Sequence, residues 1–214
     1  MKTAHHCIDF AKKRVKNVLP LQTRGVVLLT YYRSGSSLVG ELFNQHPDVF
    51  YHFEPLFPYS GDCSDQPAYK KEKVNLIGNI LECYMPNWRV LFQKMAPKEM
   101  ISNDRQCLHT GACFRQNSKD LCYSGMCPRG ITTVRPPIRK ELQCIQCGPL
   151  NLDLIDNLCR LRKVTAIKTI RICDLTWLDE LLHSDTFDLK VVHLIRDPRA
   201  IARSRRSIPG KVPT

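Results

Sequence analysis

The chain is short of acidic residues. Twenty Asp and Glu stand against 32 Lys and Arg, a formal net charge of +12 over 214 residues. That balance points to polyanionic partners: nucleic acid, an anionic membrane, a sulfated glycan or a phosphate-rich cofactor. Neither an RNA-binding aromatic signature nor a helix-turn-helix pattern accompanies the charge, so no nucleic-acid partner is expected. A long apolar run is also missing near the start. Met1–Lys12 contains neither the apolar core of a signal peptide nor the roughly 20 apolar residues of a membrane anchor. Internal repeats and low-complexity tracts are absent, which sets aside repeat architectures. With 43% hydrophobic and 24% charged residues the composition is that of an ordinary globular chain, long enough for one sizeable core or one core with a large insertion.

Cysteine is abundant. Eleven are present, five of them between Cys107 and Cys144. In a secretory compartment they would pair and staple a loop-rich region, the odd count leaving at least one free or intermolecular thiol. Zinc is the competing reading. Cys144-x-x-Cys147 is one half of a zinc pattern, but no second half follows at matching spacing, and Cys107-Leu-His109 is a poor substitute.

The chemistry is concentrated in Val26–Phe43, which reads as strand, small-residue loop and helix. Val26–Leu29 is a short apolar run suited to a strand buried on both faces of a parallel sheet. Arg33-Ser-Gly-Ser-Ser37 removes bulk where the backbone must turn. Gly35 permits a positive φ, and Ser36 or Ser37 is expected to cap the helix. The first N–H groups of such a helix lack internal partners and lie at the positive end of its dipole, an arrangement that receives phosphate or sulfate. Gly35 to Gly40 mimics the start of G-x-x-x-x-G-K-[ST], but Glu41-Leu42 stands where that pattern needs Lys and Ser/Thr, so an ATP or GTP hydrolase of that kind is disfavoured.

Arg33-Ser-Gly-Ser-Ser-Leu-Val-Gly-Glu-Leu-Phe43 resembles the 5′-phosphosulfate-binding loop of Golgi carbohydrate sulfotransferases, particularly the galactose, N-acetylglucosamine and N-acetylgalactosamine 6-O-sulfotransferases. Val191–Arg205 is similar to that family's 3′-phosphate-binding segment. Phe53–Phe57 and Ala166–Arg171, between them, are also similar to family sequence. The resemblance spans roughly residues 22–206 and implies an α/β fold: a P-loop-like parallel sheet flanked by helices, with a cysteine-rich inserted region. It also implies 3′-phosphoadenosine 5′-phosphosulfate as cosubstrate, no metal, a glycan acceptor of keratan or chondroitin type, disulfides formed in an oxidising Golgi lumen, and a membrane anchor that this chain does not contain. On that basis residues 1–21 are expected to be a stem-like segment and residues 22–214 a sulfotransferase domain, incomplete at its C-terminus, with the insertion at about 96–149.

The remaining elements follow from periodicity. Leu38–Gln45 should be helical and His46-Pro-Asp48 should stop it. Val49–Phe53 reads as a strand that directs Phe50, His52 and Glu54 to one face and Tyr51 and Phe53 to the other. Lys70–Tyr84 has helical spacing, Trp88–Phe92 is strand or helix, and Leu152–Arg162 is an amphipathic helix. Val164–Ile170 reads as strand, Leu175–His183 as a short helix, and Leu189–Ile195 as strand leading into a basic helix to Arg206 with Pro198 in its first turn. Two strand–loop–helix units in one sheet can grip the two ends of one nucleotide.

The expected roles follow. Arg33 and Ser34, with the N–H groups of Gly35, Ser36, Ser37 and Leu38, would hold the phosphosulfate. Arg196 and Ser204 would take the 3′-phosphate, the arginine as a bidentate clamp. Glu54 is the expected general base at the sheet rim, an Arg-pairing or capping carboxylate being the structural alternative, with His52 and His46 as fallback bases. Lys168 would stabilise developing charge or merely snorkel from the sheet edge. Arg199, Arg203, Arg205 and Arg206 read as a solvated face. Two other functions compete: a noncatalytic protein that binds nucleotide or acidic glycan, and a zinc-stabilised module for nucleic acid.

Overall fold

The structure, a computed structural model, describes residues 23–57, 59, 69–85, 118–122 and 151–206. Four strands, β1 (Thr23–Thr30), β2 (Val49–Phe53), β3 (Val164–Thr169) and β4 (Phe187–Leu194), form one sheet in the order β2-β3-β1-β4. Every pairing is parallel, with Leu28 of β1 opposite Lys168 on one side and Val192 on the other. Parallel neighbours need crossovers, and the chain supplies helices for them: α1 (Ser36–Gln45), α2 (Lys70–Leu81), α3 (Leu152–Arg160) and α4 (Asp179–Leu182), while α5 (Pro198–Arg206) follows the last strand. Short 3₁₀ turns cover Asp120–Cys122 and Leu175–Leu178. The α/β architecture expected from the sequence is thus present. Among the described residues no helix is long and apolar enough to cross a membrane, and no group of three His, Cys, Asp or Glu side chains could hold a metal.

Alternation along the strands divides the core between the two faces. Val27, Leu29, Phe50, Ile167, Phe187 and Leu189 join Val74, Ile77, Ile80 and Leu81 of α2 and Ile155 and Cys159 of α3 in the larger cluster. Val49, Tyr51 and Ala166 make the smaller one, with Val26, Phe43 and Phe53 against them. Gly40 permits the close approach of α1 on that second face, because a Cβ there would sit 2.1 Å from the Tyr51 hydroxyl. Burial raises the Tyr51 phenol above its ordinary pKa.

Individual boundaries follow local chemistry. The Asn151 side chain caps α3 by accepting from Leu154 N at 3.1 Å, and Asp174 does the same for Thr176 N at 2.9 Å. Pro198 opens α5 at the position where a missing N–H costs nothing. Helix α2 ends at Leu81, shorter than the expected run to Tyr84. The short helix expected over Leu175–His183 is a 3₁₀ turn followed by α4. A disulfide joins Cys83, beyond α2, to Cys159 in α3. Cys173 is also disulfide-bonded. The expected element at Trp88–Phe92, the Cys144-x-x-Cys147 pair and nearly all of the cysteine-rich insertion lie outside the described residues. The described piece of the insertion, Ser118–Cys122, docks on the α1–β2 side: Lys119 N donates to Asn44 Oδ1 at 2.8 Å, Ser118 Oγ donates to the Tyr51 carbonyl, and Asp120 pairs with Arg162 at 2.6 Å.

Candidate active site

Because all four strands run the same way, their carboxyl ends share one edge of the sheet, where ligands bind in open parallel folds. The loop from Arg33 follows β1, Glu54 follows β2, Lys168 is the penultimate residue of β3 and Arg196 follows β4.

The loop after β1 is wound tightly. Ser34 N donates to Tyr31 O at 3.1 Å, and Arg33 and Gly35 both take left-handed backbone, with φ of 70 and 89. A left-handed arginine costs of order 1 kcal/mol and persists where its surroundings over-determine it. Here they do. The Arg33 carbonyl accepts from Arg196 Nη1 at 3.1 Å, and Arg33 Nε donates to Ser204 Oγ at 2.9 Å. Arg205, expected on a solvated face, donates to the Tyr32 carbonyl at 3.3 Å. The loop after β1 therefore touches the loop and helix after β4 through three side-chain contacts, across more than 160 residues of sequence.

Helix α1 begins differently from expectation. Gly35 is its N-cap and no side chain caps it; Ser36 and Ser37 are its first two residues. The preceding αL turn, which only a glycine adopts without strain, displaces the serines from the capping position. The N–H groups of Ser36 and Ser37 consequently have no intrahelical partner, while Leu38 N–H donates to Gly35 O at 3.1 Å. A Cβ on Gly35 would meet nothing within 4 Å, so the backbone here faces open space. Beside it the hydroxyls of Thr30 and Ser34 are buried with no partner among the described residues. Open space, unpaired N–H groups, orphaned hydroxyls and an arginine together fit an anion such as the phosphosulfate end of the expected cosubstrate.

In the second unit, Asp197 accepts from Arg199 N at 2.8 Å and pairs with its guanidinium, contacts that hold the Asp197 carboxyl below the usual carboxylate range. Arg199 is thus engaged on its own loop, whereas Arg196 reaches across to the first.

Glu54 departs from the strand alternation expected of it. Its φ of 49 turns it out of β2, and its carboxylate meets Lys168, whose ammonium lies 4.6 Å from the centre of the Phe53 ring on the face opposite Phe50 and His52. Both partners are deeply buried, Glu54 at 7% and Lys168 at 4% exposure. Glu54 Oε2 also accepts from Arg171 Nη1 at 2.6 Å and from Ile170 N at 3.4 Å, and Glu54 N donates to Lys168 O at 2.8 Å. A carboxylate has about four lone-pair sites, so one acceptor position on Oε1 remains after these three bonds. Arg171 had no role in the sequence reading. Its position just beyond the carboxyl end of a strand that carries a lysine was the available signal.

The fallback bases separate. His52 is 1% exposed and packed edge-on to Phe50 with ring centres 4.9 Å apart, and desolvation pushes its pKa down to about 3. It is a neutral core residue. His46 is exposed and accepts from Asp48 N through Nδ1 at 3.2 Å, closing the turn after α1.

Two strand–loop–helix units that interlock at the carboxyl edge, the first with a helix that no side chain caps, define an α/β protein of the parallel-sheet class. Sequence comparison specifies it further. The chain is 34% identical over 183 residues to carbohydrate sulfotransferase 2 of Homo sapiens, covering 84% of this chain and 33% of that protein. It is 34% identical over 187 residues to carbohydrate sulfotransferase 7 of Mus musculus, covering 81% and 37%. With carbohydrate sulfotransferase 1 of Mus musculus it shares 35% over 189 residues, covering 84% and 44%. By sequence, the chain is similar to carbohydrate sulfotransferases over more than four fifths of its length. It spans between a third and just under half of the length of these relatives. No family model matches the chain. No solved structure matches it either.

Proposed function

We propose that this chain forms the donor site and catalytic rim of a P-loop-like enzyme that transfers a sulfuryl group from 3′-phosphoadenosine 5′-phosphosulfate to a sugar hydroxyl, the 6-hydroxyl, of a keratan- or chondroitin-type glycan. The observation that carries the proposal is the interlock at Arg33: the two segments that resemble the 5′- and 3′-phosphate grips, far apart in sequence, contact one another at the sheet edge. The relatives' names support the reaction class.

In this reading Arg33, the Ser34 hydroxyl and the N–H groups of Gly35, Ser36, Ser37 and Leu38 receive the phosphosulfate, Leu38 sharing its hydrogen with Gly35 O. Arg196 and Ser204 receive the 3′-phosphate. The transfer breaks the bond between sulfur and the phosphate oxygen and forms one between sulfur and the sugar oxygen. The nucleotide leaves as the 3′,5′-bisphosphate, and its new negative charge is met by Arg33 and Lys168. The hydroxyl proton passes to the open acceptor position on Glu54, with Lys168 and Arg171 fixing the carboxylate's orientation. No step needs a metal. The bonded cysteines Cys83, Cys159 and Cys173 support an oxidising compartment, in keeping with a Golgi lumenal domain over residues 22–214, its cysteine-rich insertion at about 96–149, and a stem over 1–21.

Titration with adenosine 3′,5′-bisphosphate tests the donor site. Arg33→Ala should weaken binding roughly tenfold to a hundredfold, the worth of one charge-assisted contact. Arg33→Lys should recover part of that, since an ammonium lacks the guanidinium fork. Unchanged affinity in the alanine variant removes Arg33 from the site.

A further inference from the structure

Beyond Glu54 the rim carries more positive charge than it neutralises. Lys73, in the first turns of α2, is 3% exposed, and its ammonium lies 5.5 Å from the centre of the Trp177 ring. Among the described residues it meets no carboxylate. The charge beside it is another cation, Arg171, and burial together with that neighbour pushes its pKa down. Arg171 spends one nitrogen on Glu54, stacks its guanidinium 5.2 Å from the half-exposed Phe57 ring, and leaves its buried Nε without a partner among the described residues. Lys168 and Arg171 thus share a single carboxylate, Glu54, and Lys73, beside Arg171, has none among the described residues. Buried unpaired cations and orphaned donors are unfavourable, and a structure that keeps both beside its reactive rim is set up for an anion from outside.

The topology says which anion. The two donor grips follow β1 and β4, on one half of the sheet edge, whereas Glu54 and Arg171 follow β2 and β3 on the other half, with Lys73 beside them. The donor's charges are met on the first half and by Lys168 of the adjoining β3, so the remainder of the second half, with Arg171 and Lys73, faces the acceptor. We propose that Lys73 and Arg171 form a subsite for an anionic group, sulfate or carboxylate, on the acceptor sugar next to the one that receives the new sulfate. This rests on the reading of the chain as a glycan sulfotransferase, and it makes an already acidic glycan the preferred acceptor. Lys73 and Arg171 select substrate and take no part in bond making. The exposed Phe57 ring offers an apolar surface beside the two charges.

The test is a calorimetric titration of the full chain, saturated with adenosine 3′,5′-bisphosphate, with three oligosaccharides of equal length: neutral, sulfated on the neighbouring sugar, and carrying a neighbouring uronate. At least one acidic sugar should bind about tenfold or more tightly than the neutral one, the worth of a hydrogen bond to a charged group. The sulfate and uronate arms show which anion the subsite takes. Lys73→Met should bring that ratio to within about twofold of one, and Lys73→Arg should keep most of it. Equal binding of all three sugars by the native chain, or a preference that survives in Lys73→Met, overturns the proposal. If the methionine variant does not fold, the comparison among sugars in the native chain decides alone. A parallel assay of labelled sulfate transfer separates the two readings. An acidic preference without transfer to any sugar sinks the transferase and leaves the subsite; transfer without acidic preference sinks the subsite alone.

Discussion

Replacing Glu54 by glutamine removes one negative charge from between two buried cations, so it tests structure and chemistry at once. In the native chain the carboxylate holds Lys168 through one oxygen and Arg171 through the other, all three side chains being largely buried. Removing one partner of a buried ion pair costs about 3–5 kcal/mol, because the remaining charge stays desolvated and unmet. The glutamine carbonyl can still accept one of these bonds, which places the expected loss near the lower end, about 3 kcal/mol. For a chain of this size that corresponds to a fall in Tm of ~6–12 °C. Bound nucleotide should restore part of it, since a ligand selective for the folded state stabilises by mass action. If Glu54 also accepts the acceptor's proton, turnover measured well below the new Tm should drop by about 10²–10⁴-fold while nucleotide affinity stays near native. Thermal melts with and without adenosine 3′,5′-bisphosphate, run beside a transfer assay, read both effects. A folded variant with native Tm refutes the ion-pair account, and one with native turnover refutes the assignment of the base.

Other consequences are independent of the chemistry. His52 has a folded-state pKa of about 3 against an ordinary value of 6.5. The unfolded chain therefore binds a proton that the folded chain refuses as pH falls from about 6.5 toward 3, and stability should decline over that window by up to a factor of about ten in the folding equilibrium per pH unit. Above pH 6.5 this residue contributes no slope. Denaturant melts of His52→Leu should show a flatter acid limb, and an unchanged limb would contradict the burial. The Cys83–Cys159 bridge closes a loop with a sequence separation of 76, for which chain-entropy reasoning gives about 4 kcal/mol of stabilisation. A Cys83→Ala/Cys159→Ala double variant should lose stability of that order in a urea melt, and native stability in the variant would show that the bridge does not restrain the fold.

What could be read from sequence, and what could not, divides along a physical line. β1 was legible because a strand buried on both faces carries an unbroken apolar run, here Val26–Leu29, β4 through its β-branched Val191-Val192 and the Arg196-Asp-Pro198 stop after it, and α3 because its apolar positions recur at helical spacing. The strand at Val49–Phe53 was legible through its aromatic and β-branched content and the His46-Pro-Asp48 stop before it. The backbone conformations of Arg33 and Glu54 were not. Left-handed φ at a non-glycine residue is imposed by tertiary contacts, here Arg196 and Ser204 on one and Lys168 and Arg171 on the other. The same limit hid the contacts of Arg171 and Lys73, whose partners Glu54 and Trp177 are distant in sequence. It also explains the misplaced cap. Serines beside a glycine look like caps, but a glycine free to turn left-handed took that position and left the helix end open. Leu38 and Leu42, on the exposed side of α1, carry no periodic warning that they would stay in solvent.

The central claim is tested most directly by incubating the protein with 3′-phosphoadenosine 5′-phosphosulfate labelled in its sulfuryl group and a panel of keratan- and chondroitin-type oligosaccharides, then locating the label by mass spectrometry. The account predicts label on a sugar 6-hydroxyl, in amounts that fall sharply in Arg33→Ala and in Glu54→Gln. Tight binding of adenosine 3′,5′-bisphosphate with no label on any glycan would contradict it and leave a nucleotide-binding protein without transferase activity.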